Sequence, residues 1–392
     1  MGLFSQPNDK KELIAAFYIG SSKVAGALFY PKNSGPKIIF SVVEPIDIED
    51  ELDTDRFLSR TLASLGVVAD KMHRSGLGAP KRAFFVLSSP WYASQTRTIS
   101  FKKNNPFVFT EKIADDLIQK EIKVFSEEHL TRYSEEQNAV RTIELKNIRT
   151  LLNGYEVAEP LFKKTQDIEM TIFISMSGEE VLAKIENTIG KYFNFEQIKF
   201  SSFAMASFTV VRDMDFAREN FLLLDIGGEV TEIFMVKKNI MRESRSFPLG
   251  RNFFIRGVAA ELGVSLSESD SLLSLWKDGH AALATEKKLS EAMGKLRTEW
   301  LRKFQESLAN LSGDISIPAS VYIASDIGFT GLFSDMVKAE QFSQYTLTES
   351  KFDITPLDTK LLHSLARFED PAVRDAFIII SSVYINRFLL NQ

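Results

Sequence analysis

The sequence has 392 residues, of which 44% are apolar and 25% charged, and its net charge is −5. This length predicts at least two lobes, and the composition is that of a globular protein. The lack of a basic stripe with interleaved aromatic residues argues against a nucleic-acid partner. The lack of cysteine excludes disulfides and thiolate chemistry. The sequence has no run of about 18 apolar residues, the length that a membrane-spanning helix needs, so we expect a cytoplasmic protein.

The chain opens on a pattern typical of a hairpin. Residues 13–19 and 24–30 are apolar runs separated by Gly20-Ser21-Ser22, which predicts strand, glycine turn and strand. Residues 37–43 predict a third strand. The apolar spacing over 55–72 predicts a helix that packs one face on these strands.

A short strand is predicted at 82–87, and a region with a different residue pattern follows it. Residues 94–101 predict an edge strand that ends at Asn104-Asn105-Pro106, and a helix follows. The polar stretch 126–138 predicts a solvated loop, and Asn153-Gly154 predicts a hairpin turn. Together these elements predict a small α+β subdomain.

Alternating strands and helices then resume. Strict alternation over 168–174 predicts a strand, and Ser177 with Glu180 predicts a capping box for the next helix. A second strand–turn–strand unit is built on 221–224 and the turn Asp225-Ile226-Gly227-Gly228. The remaining predicted elements are strands at 230–236, 240–247 and 321–324, and helices at 253–262, 268–276, 286–311, 328–336 and 372–390.

The two strand–glycine turn–strand units indicate an internal duplication. Two similar lobes would then face each other, with the turns at residues 20–22 and 225–228 lining one cleft. Backbone N–H groups in tight glycine turns form anion nests, so this cleft is suited to phosphates.

Five segments resemble motifs of the superfamily of actin, heat-shock chaperones and sugar kinases and, within it, of FtsA and PilM. The first and second phosphate motifs are matched by AFYIGSSKV at 16–24 and LDIGGEVTE at 224–232. The adenosine motif is matched by VYIASDIGFTGL at 321–332. FAMAS at 203–207 stands where the helix connecting the lobes belongs, and FPLGRN at 247–252 is similar to the stretch after the second motif.

This resemblance implies an α/β fold with two actin-like (ribonuclease H-like) lobes and an inserted small α+β subdomain of the FtsA/PilM type. The implied boundaries are 10–87, 167–216 and 365–392 for lobe I, 88–166 for the inserted subdomain and 217–364 for lobe II. The apolar segment 372–390 is then a core helix beside the cleft, rather than an interfacial membrane anchor.

The resemblance also implies a site for ATP and Mg²⁺, which this chain has kept or lost. Asp225 would hold the metal through water, while Lys23 and Ser21 would contact the phosphates from the opposite lobe. The candidate cofactor-binding residues are Gly20, Ser21, Ser22, Lys23, Asp225, Gly227, Gly228, Glu229, Thr231, Gly250, Ser325 and Asp326. No catalytic residue is expected.

Departures from the family pattern weaken this site. Tyr18 stands where the family has a metal-binding acid, and it cannot supply that charge. Glu229 replaces a glycine and would repel phosphate unless it turns away. Ser325-Asp326 replaces paired glycines and narrows the nucleotide pocket. The Glu and Lys that usually touch the ribose and base have no clear match near 269–276. At most a weak ATPase is expected.

Three functions remain open at this point. A PilM-like scaffold would hold the tail of a bitopic inner-membrane protein in a groove on the inserted subdomain, during type IV pilus assembly. An FtsA-like protein would self-associate and tether a division ring to the membrane. An active ATPase or phosphotransferase is the third. The lack of a membrane helix after 372–390 favours the first, with peripheral membrane association through the partner.

Overall fold

A computed structural model describes residues 12–133, 139–277, 279–280, 283–312, 316–339 and 351–390, and within them it is an α/β protein with three sheets. The strands are β1 (Ile14–Ile19), β2 (Lys23–Tyr30), β3 (Lys37–Pro45), β4 (Arg82–Leu87), β5 (Ala93–Val108), β6 (Val140–Leu152), β7 (Tyr155–Glu156), β8 (Lys164–Gly178), β9 (Gln197–Ser202), β10 (Phe221–Ile226), β11 (Thr231–Lys237), β12 (Ile240–Phe247), β13 (Ser320–Ser325), β14 (Asp353–Pro356) and β15 (Arg367–Phe368). The helices are α1 (Thr54–Arg74), α2 (Glu111–Tyr133), α3 (Glu179–Ile189), α4 (Phe203–Met214), α5 (Arg251–Leu262), α6 (Leu266–Lys277), α7 (Leu283–Ser312), α8 (Ile327–Ala339), α9 (Thr359–Leu362) and α10 (Ala376–Tyr384), and a π-helical turn, Ile385–Leu389, continues α10.

The two larger sheets share one topology. The first has the order β15-β3-β2-β1-β4-β9, and the second has the order β12-β11-β10-β13-β14. In each, an antiparallel meander (β1–β2–β3 or β10–β11–β12) is extended by two parallel strands, β4 and β9 or β13 and β14. The duplication expected from the two glycine turns is therefore present in the strand order.

Apolar side chains on the central strands explain how the lobes join. Every residue of β1 and β10 is buried, as expected for strands covered on both faces. On β10, Leu222 and Leu224 face the core of the second lobe, whereas Phe221 and Leu223 join the core of the first. Helix α4, buried from Phe203 to Val211, belongs to that first core and connects β9 to β10.

The third sheet, β5-β8-β6-β7, is antiparallel and carries α2 on one face. Ile168, Met170, Ile172 and Ile174 of β8 alternate into its core, as the sequence predicts. The Asn153-Gly154 hairpin is also confirmed between β6 and β7. The expected boundary at residue 166 falls within β8, which continues to Gly178 as part of this sheet.

The predicted break at Asn104-Asn105-Pro106 is wrong. Strand β5 runs through it to Val108, with an irregular register against β8 between Lys102 and Phe107. Proline has no N–H to donate, so it is tolerated in a strand at such an irregularity. The amide of Gln166 donates to the carbonyl of Asn104 at 3.0 Å and ties the irregular segment to β8.

Two predictions about helix ends are also wrong. The polar stretch from Ser126 to Tyr133 is helical and belongs to α2, while 134–138 lie outside the described residues. The capping box at the start of α3 is absent because its N-cap is Gly178, which makes no side-chain cap. The Ser177 hydroxyl donates instead to the carbonyl of Trp91 at 2.6 Å.

The expectation of a C-terminal core helix is confirmed. All nine residues of α10 are buried, and the helix packs against α4 and the first sheet. Its N-cap, Asp375, accepts backbone hydrogen bonds from Phe377 at 2.9 Å and Ile378 at 3.1 Å. Over the described ranges, no helix combines the length and the apolar character needed to cross a membrane.

Trp300 is the central side chain of the second lobe and tests its core. It is fully buried, stacks on Phe304 at 5.2 Å and donates its indole N–H to the carbonyl of Leu249 at 3.1 Å. We expect Trp300→Ala to lower the free energy of unfolding by about 3–5 kcal/mol, measured by urea denaturation. Trp276→Ala, at a half-buried position, is the control and should lower the free energy of unfolding clearly less. Equal losses would contradict this account of the core.

Candidate functional site in the interlobe cleft

The two glycine turns predicted to line the cleft lie in contact. Each turn is closed by a backbone hydrogen bond, from Gly20 to Lys23 at 3.1 Å and from Gly227 to Val230 at 2.9 Å. The N–H of Glu229 donates to the Ser21 hydroxyl at 3.1 Å, which joins one turn to the other. The structure thus brings the first two phosphate motifs together.

Gly228 and Gly250 allow backbones to approach closely here. A Cβ atom on Gly228 would overlap the carbonyl oxygen of Ser21 and lie 2.9 Å from the backbone nitrogen of Ser22. A Cβ atom on Gly250 would lie 2.5 Å from the carbonyl oxygen of Gly228. Only glycine fits at these positions without movement of the chain.

Hydrogen bonds from the start of α5 and from Thr231 hold the second turn in place. Arg251 N–H donates to the carbonyl of Gly227 at 2.9 Å, and Asn252 N–H to that of Gly228 at 2.8 Å. The buried Thr231 hydroxyl donates to the carbonyl of Leu249 at 2.7 Å. Thr231 therefore shapes the turn from the core of the lobe.

Lys23 is held by two carboxylates in this cleft. Its Nζ lies 2.9 Å from Asp326 Oδ1 and 2.7 Å from Asp375 Oδ2. Burial opposes the charge of Lys23, but the two carboxylates outweigh it and raise the pKa of the lysine. For Asp326, burial is likewise outweighed by Lys23 and Arg251, and its pKa is lowered. Sequence reasoning placed Lys23 and Asp326 in the site but missed Asp375.

Asp225 lies in the floor of the cleft. It is 2% exposed, and Oδ2 accepts a hydrogen bond from the Ser88 hydroxyl, while Oδ1 has no protein partner among the described residues. Burial raises the pKa of Asp225 to about 7, against the lowering effect of Ser88. The neighbouring Tyr18 is also buried, and its pKa is raised by burial and by Asp225.

A second buried acid, Glu232, lies beside Asp225 and links β11 to the segment that follows β4. Its Oε2 accepts hydrogen bonds from the Ser89 hydroxyl at 2.8 Å and the Tyr92 hydroxyl at 3.0 Å. Burial raises the pKa of Glu232 to about 8. The sequence analysis missed this contact, although Glu232 ends the second motif, because its partners lie about 140 residues away.

Glu229 turns away from the cleft. Its carboxylate accepts hydrogen bonds from the Asn252 amide at 2.7 Å and from both terminal nitrogens of Arg256 at 2.7 and 2.8 Å. Arg256 also donates through Nε to the carbonyl of Glu49 at 2.6 Å, so it joins the second lobe to the segment after β3. The carboxylate expected to repel phosphate is thus satisfied inside the protein.

The segment resembling the adenosine motif is filled by its own side chains. Ser325 Oγ donates to Thr330 Oγ1 at 2.8 Å, and the Arg251 guanidinium lies 5.1 Å from the centre of the Phe329 ring. Arg251 is also held by Asp270 at 2.9 Å. From the end of α6, the Lys277 ammonium donates to the carbonyl of Gly328. Asp270 lies in the stretch 269–276, where the sequence shows no clear ribose or base ligand, and Lys277 directly follows that stretch.

Comparison with solved structures identifies the fold. No protein-family model matches the sequence, and no curated protein matches it either. A chain of a PilM–PilN type IV pilus biogenesis complex matches with a TM-score of 0.58 and 12% identity, over 96% of this chain and 97% of that one. This chain has the actin-like fold of the PilM type.

Other solved structures match more distantly. MreB 5 of Spiroplasma citri bound to AMPPNP has a TM-score of 0.47 and 8% identity, over 97% of this chain and 98% of that one. A Bacteroides thetaiotaomicron protein with an actin-like ATPase fold has a TM-score of 0.40 and 7% identity, over 97% and 99%. In the present chain, the glycine turns, Asp225 and Lys23 meet between the two larger sheets.

The raised pKa of Glu232 makes the stability of the protein depend on pH. The folded form keeps a proton that the unfolded chain loses above about pH 4.5, so the free energy of unfolding should fall as pH rises from 4.5 towards 8. Glu232→Gln keeps a neutral acceptor. It should remove this loss of unfolding free energy, which is on the order of 4 kcal/mol between pH 5 and pH 8. Urea denaturation between pH 5 and 9 measures it. The exposed Glu196→Gln is the control, and identical slopes in wild type and Glu232→Gln would contradict this assignment.

The close contact between the turns predicts that a methyl group added at Gly228 destabilises the protein. Gly228→Ala should push the turns apart, lower the free energy of unfolding by more than about 1 kcal/mol and increase protease cleavage near the cleft. Gly331→Ala lies on an exposed helical turn with open space around its Cβ, and should be neutral or stabilising by up to about 1 kcal/mol. If both variants behave alike, the close approach is not what holds the cleft closed.

Proposed function

We propose that this chain is a scaffold that holds the cytoplasmic tail of a bitopic inner-membrane protein, in type IV pilus assembly. The fold shared with a chain of a PilM–PilN pilus biogenesis complex supports this role, because that complex pairs two proteins. The observation that carries the proposal is a groove between the third sheet and the first sheet.

The groove lies where the proposed inserted subdomain meets lobe I. Its volume is about 280 Å³. One wall is residues 141–146 of β6, the other is residues 198–201 of β9, and Leu389 of the π-helical turn closes one side. Two strands from different sheets thus run along one channel.

Both strands present open edges. Strand β9 is the last strand of the first sheet, and β6 pairs on its outer side only with the two-residue β7, at Leu151 and Leu152. Among the described residues, no further strand pairs with either edge along 141–146 and 198–201, so we propose that an added strand pairs there. An extended peptide commonly binds such an edge through main-chain hydrogen bonds, with specificity from alternate side chains.

Along both strands of the groove, apolar side chains alternate with polar or charged ones. Ile143, Leu145, Ile198 and Phe200 line it, and the Arg141 guanidinium lies 5.5 Å from the Phe200 ring centre. Arg141 is itself held by Glu179 and Glu186 at 3.0 Å each. We therefore propose an extended tail with apolar residues at alternate positions.

The cleft supports a role that does not depend on ATP hydrolysis. If Mg²⁺ bound, Asp225 would hold it through water, and one of its two carboxylate oxygens already accepts a hydrogen bond from Ser88. Lys23 is engaged by Asp326 and Asp375, and Tyr18 replaces the acid expected in the first motif. We propose that Mg-ATP binds weakly or not at all.

A photocrosslinking amino acid at Leu145 tests the proposed function. Leu145 is 37% exposed and lines the groove, so this substitution should leave the fold intact. In cells that make the protein natively, we expect crosslinks to a protein with one membrane span, mapped by mass spectrometry to its cytoplasmic tail. The groove-blocking variant Leu145→Glu should lose that partner.

Leu361 provides the matched control. It is 39% exposed and lies on α9, away from the groove lining. A crosslinker there should not capture the tail, and Leu361→Glu should retain the partner. The same adducts at both positions, or adducts at Leu145 that map outside a membrane protein's tail, would contradict the proposal.

A further inference from the structure

Helix α10 touches both the cleft and the groove. Its N-cap, Asp375, lies in the cleft, and its last residue, Tyr384, lies beside the groove. Nine helical residues span about 13 Å at 1.5 Å per residue, so one rigid element bridges the two sites.

At the cleft, α10 supplies one of the two carboxylates that hold Lys23. Asp375 uses one oxygen to cap the helix and the other, at 2.7 Å, to bind the Lys23 ammonium. The same ammonium lies 4.4 Å from the ring centre of Phe377. Any shift of α10 along its axis therefore changes how Lys23 pairs with Asp326 across the cleft.

At the groove, α10 binds the acid that ties the two walls together. Glu144 of β6 is 6% exposed and accepts hydrogen bonds from the hydroxyls of Ser201 and Ser202 of β9, at 2.7 Å each. It also accepts one from the Tyr384 hydroxyl. Glu144 lines the groove, so a tail that widens the groove has to move this carboxylate relative to β9 or α10.

Between these ends, α10 is buried but not fully hydrogen-bonded. Its residues are buried, so neighbours sense its displacement, yet the Ser381 and Ser382 hydroxyls have no hydrogen-bond partner among the described residues. The helix then passes into a π-helical turn, Ile385–Leu389, whose Leu389 lines the groove. Single π-helical turns are frequent at functional sites.

We propose that α10 couples occupancy of the groove to closure of the cleft. This inference rests on the proposed function, because it takes the groove as the tail site. A bound tail moves Glu144 away from Tyr384, which releases the end of α10, and Asp375 then loosens its hold on Lys23. By linkage, opening of the cleft changes the affinity for the tail by the same factor by which a bound tail changes the equilibrium between closed and open cleft.

Hydrogen–deuterium exchange of the whole protein tests the coupling without a tail. Tyr384→Phe removes only the hydroxyl on Glu144, and Asp375→Asn keeps a good N-cap while weakening the Lys23 pair. Tyr384→Phe should speed exchange about tenfold at the distant turns 19–24 and 225–231. Asp375→Asn should do the same at 140–146 and 198–202.

Two matched substitutions control for general loosening. Tyr322→Phe removes a similar phenol–carboxylate bond, to Asp215 at 2.9 Å, and Asp358→Asn alters the N-cap of α9. Both should leave exchange at the cleft and the groove unchanged. Effects confined to the mutated end of α10, or equal effects from the controls, would overturn the coupling.

The two proposals can fail separately. If no tail is captured at Leu145, the proposed function is contradicted, whatever the exchange pattern. If a tail is captured, its complex should exchange faster at 19–24 and 225–231 than the free protein. Unchanged exchange there would overturn the coupling and leave the tail site standing.

Discussion

The ammonium group of Lys23 lies where three parts of the chain meet, and the arrangement of the lobes depends on its charge. Strand β2 brings the lysine, the end of β13 brings Asp326, and the start of α10 brings Asp375. A buried ion left without its partner typically costs 3–5 kcal/mol, so a shift of any one of the three elements affects the contacts of the other two. Arg251 lies 3.5 Å from Asp326 and balances the second negative charge.

Around this cation the buried carboxylates of the cleft have hydrogen-bond partners within the protein, although Asp225 Oδ1 has none among the described residues. Glu229 is bound by Arg256, Asp225 by Ser88, and Glu232 by Ser89 and Tyr92. Three of these contacts join residues more than 100 positions apart. Cleft geometry is thereby set by hydrogen bonds within the protein.

The parts of the fold that the sequence predicts are those that local pattern determines. Continuous apolar runs flanking Gly20 and Gly227 predict β1, β2, β10 and β11, because buried strands and tight turns have local signatures. What escaped prediction depends on distant partners. Helix α2 continues past Ser126 and its Glu128 pairs with Arg97 at 2.7 Å, and Ser177 bonds to Trp91 rather than capping α3. The carboxylates of Asp375 and Glu232 joined the site only through tertiary contacts.

The open edges of β6 and β9 also bear on how the protein behaves when it is made alone. Unpaired strand edges are templates for pairing with another chain, and natural proteins usually shield them. Here Leu145 is exposed along one such edge. If the proposed tail covers these edges, a chain made without it exposes both of them, and its solubility should rise when the two proteins are produced together.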